Sequence, residues 1–311
     1  MAAAAATLLA IPALANANTT AGQPPPVRVA NPGAPKSGRT IGVDVSREVP
    51  ARIAALRAGT AGTVGRIGSV GAVKAEAAQS AAAAQSHADW GMTGRKSTAQ
   101  DSDGFFAIQS VAPGLLLSHR GDFVYGPSAK PPGKSCVEVV TVYGPAPQLW
   151  AWDWCDPKPR PRKVIKADAK FVSTYTTNVN GHPAYAFEEN LTNASTNQWT
   201  VFLFNYSTGS WDAFYTSAPN QKNVAGINGW NIFEVFTTLD PATGNGYYCP
   251  DIRNTTFESS NVMLHLGGKW TGATQSGWAG FSKGSASDLG FKCPNLKFTV
   301  TNQGDGWIAR Q

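Results

Sequence analysis

The sequence predicts an all-β fold for residues 86–311, an antiparallel β-sandwich of the jelly-roll or concanavalin-like kind. Three observations point there. Short runs of β-branched and aromatic residues recur along this region, bounded by Gly, Pro, Asn and Ser. No segment after residue 86 carries a persuasive helical period. Only 15% of the 311 residues are charged, while Gly (32), Pro (21) and Trp (10) are plentiful. That composition excludes a coiled coil, a helical bundle and a fully disordered chain.

The strand-like runs are CVEVVTVYG (136–144), QLWAWDW (148–154), KFVSTYTTNV (170–179), AYAFEENL (184–191), NQWTVFLFNY (197–206), SWDAFYTSA (210–218), NIFEVFTTL (231–239), SNVMLHLGG (260–268) and LKFTVTNQ (296–303). Ser207-Thr208-Gly209 supplies turn chemistry for the clearest hairpin. About ten short strands in a region of this length suit a sandwich or barrel.

Upstream, residues 1–17 are apolar and end in Ala15-Asn16-Ala17, a small-x-small cleavage pattern, so they are expected to be a signal peptide for a secreted chain. Residues 18–85 read as a flexible linker or a propeptide, rich in Ala, Pro and Gly with short interrupted helical stretches. The formal charge of +6 is unevenly spread. Residues 18–85 hold eight basic and three acidic side chains, a net +5, and 86–311 hold 18 and 17, a net +1. The main domain therefore lacks the electrostatic footprint of a nucleic-acid binder. No later run is long and apolar enough to span a membrane, and a monomer is expected.

Export favours disulfides over metal ligation for Cys136, Cys155, Cys249 and Cys293, which have no C-x-x-C unit. Cys136 opens one strand and Cys155 closes the next, giving Cys136–Cys155 and Cys249–Cys293 as the expected pairs. Asn190, Asn193, Asn205 and Asn254 begin glycosylation sequons. His87, His119, His182 and His265 show no ligand spacing, so no metal and no cofactor are expected. Gly280-Phe-Ser282-Lys-Gly284 fits G-x-S-x-G but lacks the flanking strand and helix of a nucleophile elbow. The basic run Lys158, Arg160, Arg162, Lys163 and Lys166 reads as a solvated loop.

Two features carry chemistry. Trp150, Trp152 and Trp154 alternate and so share one face of a strand, either as core or as the wall of a cleft for a peptide or a glycan. Asp153 then faces the other way. Trp230, Ile232, Glu234 and Phe236 also share a face, which sets a carboxyl among apolar neighbours. Burial there disfavours the charged form and suits a general acid or base below neutral pH. An edge strand would instead leave that carboxylate solvated.

The order of segments resembles the eqolisins, secreted glutamic peptidases. Cys136–Gly144 is similar to their Cys-to-Gly strand, and Trp152-Asp153-Trp154 to their aromatic–acid–Trp strand, with Asp for the usual Glu. Glu189-Asn190-Leu191-Thr192 resembles their E-N-L-T segment, and Gly229–Phe236 the strand bearing their catalytic Glu, which falls on Glu234. The resemblance implies a Glu–Gln pair, in which Glu activates water and Gln stabilises the oxyanion. The Gln position falls on Val142, which has no hydrogen-bonding side chain. Gln148 on the next strand is one candidate replacement. A Glu–Glu pair, as in neprosin-type peptidases, would make Glu138 another, although Val142 and Glu138 are about 13 Å apart along the strand. Three functions stay open: an acid endopeptidase with Glu234 as general base and Trp150, Trp152, Trp154 and Trp230 lining its substrate cleft, a non-catalytic module binding a glycan or peptide on the same aromatic residues, or a structural envelope or matrix protein with no small ligand.

Overall fold

The computed structural model describes residues 85–94, 102–154, 160–220, 229–273, 278–282, 284–301 and 306–311. The signal peptide, nearly all of the linker or propeptide, Cys155 and Lys158 lie outside the described residues. In chain order the elements are β1 (Gln85–Gly94), β2 (Gly104–Ser110), β3 (Phe123–Lys130), β4 (Val137–Tyr143), β5 (Gln148–Asp153), β6 (Arg160–Lys166), α1 (Ala169–Tyr175), β7 (Thr176–Val179), β8 (His182–Asn193), β9 (Gln198–Asn205), β10 (Ser210–Thr216), β11 (Trp230–Thr238), α2 (Tyr248–Asp251), β12 (Thr256–Leu266), β13 (Lys269–Gly272), β14 (Trp278–Phe281), β15 (Lys297–Thr301) and β16 (Gly306–Arg310).

Two sheets stack as the expected antiparallel β-sandwich. One runs β14-β1-β11-β3-β4-β5-β6; the other runs β10-β9-β8-β2-β12-β16-β15, with β7 on β8 and β13 on β12. Between them lie two apolar clusters. The first joins Val137, Val139, Leu149 and Ala151 to Phe105, Phe187, Trp199 and Leu203. The second joins Trp90, Phe233 and Val235 to Phe257, Trp307 and Ala309. Because side chains alternate along a strand, the partners of these inward residues must point away from the second sheet. On the seven-stranded sheet they form a third cluster on the outer face, including Tyr125, Val140, Trp150, Trp152, Trp230 and Phe236.

The hairpin around Ser207–Gly209 forms as expected from β9 and β10. Segment 170–179, read as one strand, is instead α1 followed by β7. Asp168 caps the helix by accepting from the backbone N–H groups of Lys170 and Phe171, and Phe171 and Tyr175, four residues apart, bury one face. Arg160, Arg162, Lys163 and Lys166 of the basic run lie not on a loop but on β6, at the end of its sheet, where charged side chains discourage further strand pairing. Ser282 directly follows β14, and its hydroxyl donates to the Gly91 carbonyl at 3.2 Å, with turns rather than a helix among the described residues after it. Cys249 and Cys293 form the expected disulfide. Cys136 is not a free thiol. Asn190 and Asn205 are buried, so their sequons are not accessible in the folded domain. No helix among the described residues is long and apolar enough to cross a membrane.

Candidate functional site

The outer face of the seven-stranded sheet carries the candidate site. Cross-strand register sets one rung there: Asp89 on β1, Glu234 on β11, Tyr125 on β3, Val142 on β4, Gln148 on β5 and Lys166 on β6 are successive partners. A bulge at Gly126-Pro127 keeps this rung in line. It interrupts the pairing of β3 with both neighbours between Tyr125 and Ser128, so Tyr125 faces outward with Glu234.

Glu234 is 2% exposed and shares its face with Trp230, Ile232 and Phe236, as alternation predicts. Its surroundings are not only apolar. The Nε2 of His87 lies 2.9 Å from Glu234 Oε1. The His87 ring lies flat on Phe236, its cross-strand partner, at 4.1 Å and 9°. That stacking fixes the ring so that Nε2 points one rung along, to the carboxylate. Asp89 is the direct partner of Glu234 across the β1–β11 pair. Burial, and then the neighbouring Glu234 charge, push the Asp89 carboxyl up to about 6, against the opposing effect of His87.

The other candidates are placed apart from Glu234. Glu138 is on the same face but four residues along β4 from the rung, about 13 Å away. It is fully buried and held at both oxygens: Ser128 Oγ and Trp230 Nε1 (3.3 Å) donate to Oε1, and Trp154 Nε1 donates to Oε2 at 2.9 Å. Gln148 is on the rung, but three strand spacings from Glu234, about 14 Å. Its Oε1 accepts from Trp150 Nε1 at 2.8 Å. The structure thus brings together neither Glu138 nor Gln148 with Glu234.

Trp150, Trp152 and Trp154 do share one face, with centroid spacings of 6.0 and 5.5 Å along the stack, and Trp230 meets Trp154 edge-on at 5.9 Å. Their ring faces are turned toward one another and none of the four is more than 3% exposed, so they form a buried wall of the outer-face cluster rather than an open stacking platform. Asp153 faces between the sheets, as expected, and accepts from the Tyr215 hydroxyl at 2.9 Å. Beside the wall is a buried charge cluster. Lys130 is held down to about 8 by burial, against the charges of Glu189 and Glu138. Burial pushes Glu189 up to about 8, although Ser135 donates to it and Lys130 lies near.

Sequence reasoning missed His87, Asp89 and Tyr125. A signal for the first two was available: His87, Asp89 and Gly91 alternate with Ala88, Trp90 and Met92, a polar-out, apolar-in strand pattern. Tyr125 precedes a Gly-Pro pair, which breaks the appearance of a strand.

No protein-family model matches the chain, and no curated sequence matches it either. Solved structures with a weak likeness include glutamic peptidases, the class whose segments the sequence resembles. One is Scytalido-glutamic peptidase with a peptide-based transition-state analogue, at TM-score 0.39 and 11% identity, covering 72% of this chain and 98% of that one. Another is SCP-B, an eqolisin in complex with the tripeptide Ala-Ile-His, at TM-score 0.39, 12% identity and the same coverage. A third is the CBM2 module of an evolved Dit from Lactobacillus casei BL23 phage J-1, at TM-score 0.28 and 12% identity, covering 49% of this chain and 69% of that one.

Proposed function

We propose that the chain is a secreted endopeptidase of glutamic type, active at acid pH, with Glu234 as general base. One observation carries this reading. Glu234 is a buried carboxylate whose Oε1 is held at 2.9 Å by a histidine that is itself clamped on an aromatic ring. A base must be held rigidly and kept from water to act on one bound molecule. In the proposed step, the carboxylate takes a proton from water as its oxygen attacks the scissile carbonyl. Ordered strands beside the rung suit an extended peptide, while the indoles, none more than 3% exposed, pack beneath it as core. A flat sugar would need an open ring face, and the indoles turn theirs inward, so peptide is favoured over glycan.

The test is digestion of a denatured protein mixture between about pH 3 and pH 7, the range across which such a carboxyl titrates. New peptide ends scored by mass spectrometry are expected for the wild type and absent for Glu234→Gln, with unchanged circular dichroism. Cleavage retained in that variant overturns the assignment.

A further inference from the structure

We propose that Asp89 is the second carboxyl of this site, sharing one proton with Glu234 and delivering it to the scissile carbonyl oxygen. The inference rests on the peptidase reading for its substrate, but the shared proton stands or falls on its own. The eqolisin pattern leaves the oxyanion side vacant, because Val142 has no donor. Two polar side chains flank Glu234 on the rung, Asp89 on β1 and Tyr125 on β3. Tyr125 is fully buried, with its ring packed edge-on to Trp150 and Phe236. Asp89 is only partly buried. It lies beside His87, whose side chain is 25% exposed and so marks the side from which a substrate reaches the carboxyls.

Directly opposed residues of an antiparallel pair have Cβ atoms about 4.5–5.5 Å apart. Two carboxylates at that spacing do not both ionise readily, and they titrate as a unit. Among the described residues, the titratable groups facing the pair are His87 on β1 and Tyr125 on β3. Lys130 and Glu138 lie further along the same face, and Lys166 ends the rung three strands beyond Tyr125. His87 is bonded to Glu234, not to Asp89. With Nε2–H donating, His87 favours the ionised form on Glu234, while burial, outweighing the opposing effect of His87, leaves the proton on Asp89.

The proton balance follows from that asymmetry. Glu234 carboxylate accepts a proton from water while the water oxygen bonds to the carbonyl carbon. Asp89 gives its proton to the carbonyl oxygen, so the intermediate is a neutral diol rather than an oxyanion. Next, Glu234 passes its proton to the amide nitrogen as the C–N bond breaks. Asp89 takes one hydroxyl proton back as the carboxylic acid product forms. The pair ends as it began, with one proton on Asp89.

The experiment is a carboxyl 13C NMR titration of the full-length chain labelled at Asp and Glu, run beside Glu234→Gln, Asp89→Asn and Tyr125→Phe. The Asp89 signal is expected to titrate near pH 6 in the wild type and at least about one unit lower in Glu234→Gln, which removes the like charge. An unchanged Asp89 midpoint in Glu234→Gln overturns the shared proton. In the digestion assay, Asp89→Asn is expected to lower kcat by about 100-fold or more, with KM nearly unchanged. Asp89→Glu should recover part of that loss, and Tyr125→Phe should leave the Asp89 midpoint near its wild-type value, because Tyr125 is not among the groups that move it. Wild-type cleavage by Asp89→Asn overturns proton delivery. If the wild type cleaves nothing yet the titrations are coupled, the peptidase reading and the delivery step fail and the pair remains.

Discussion

At the scale of residues, two buried glutamates on one sheet face serve opposite ends. Glu138 spends its carboxylate on one hydroxyl and two indole N–H groups, all buried. Glu234 is tied at Oε1 to a histidine whose own side chain is 25% exposed. The difference is testable. Glu138→Ala leaves those donors without their acceptor, and should destabilise the fold by about 3–5 kcal/mol, the usual cost of breaking a buried charged network. Urea unfolding reads that loss directly. Such a variant, assayed well below its unfolding midpoint, should retain the wild-type pH profile of cleavage. A shifted profile would place Glu138 in the chemistry after all.

At the scale of elements, β3 decides whether the rung exists. The bulge at Gly126-Pro127 turns Tyr125 outward, and it needs a glycine because a Cβ at 126 would meet Phe233 Cδ2 at 2.4 Å. Phe233 is buried between the sheets and cannot step aside freely. Gly126→Ala should therefore cost about 1–3 kcal/mol, as overpacking does, and should lower the thermal midpoint without altering β-sheet circular dichroism. An unchanged midpoint would mean that β3 yields at the bulge. The same strand shows where sequence stops being legible. Strands β4, β5, β9, β10 and β11 announce themselves through Val, Thr, Phe and Trp. β3 hides behind Gly-Pro, β6 behind its lysines and arginines, and β1 behind small residues. The helix α1 is masked by Val172, Thr174 and Thr176, whose β-branching argues for a strand, and its sequence signal is the capping Asp168. The wall of indoles and Glu234 could be placed on faces by alternation alone. The pairing of Asp89 with Glu234 could not, because register between strands distant in sequence is set by the whole sheet.

At the scale of the whole molecule, one disulfide ties the helix after β11 to the loop before β15, its cysteines 44 positions apart in the chain. By chain-entropy reasoning a closed loop of that size stabilises the fold by about 4 kcal/mol. Reduction, or Cys249→Ser with Cys293→Ser, is expected to lower the melting temperature by roughly 10 °C in a domain of this size. A midpoint unmoved by reductant would show that packing in the second core cluster alone holds that end. The candidate site is on the outer face of the seven-stranded sheet, and that cluster is on its inner face. The loss should therefore appear first as lower stability and only later as lower activity.

The same layout has a temporal side. His87 and Glu234 touch across 147 residues of chain. Synthesis at about 5–20 residues per second separates the emergence of the two strands by roughly 7 to 30 seconds. Until β11 leaves the ribosome, β1 has no partner on that side and the histidine has no carboxylate to hold. A nascent chain in this interval carries Trp150, Trp152 and Trp154 but no contact between His87 and Glu234. That contact is available only after nearly all of the sheet has been translated.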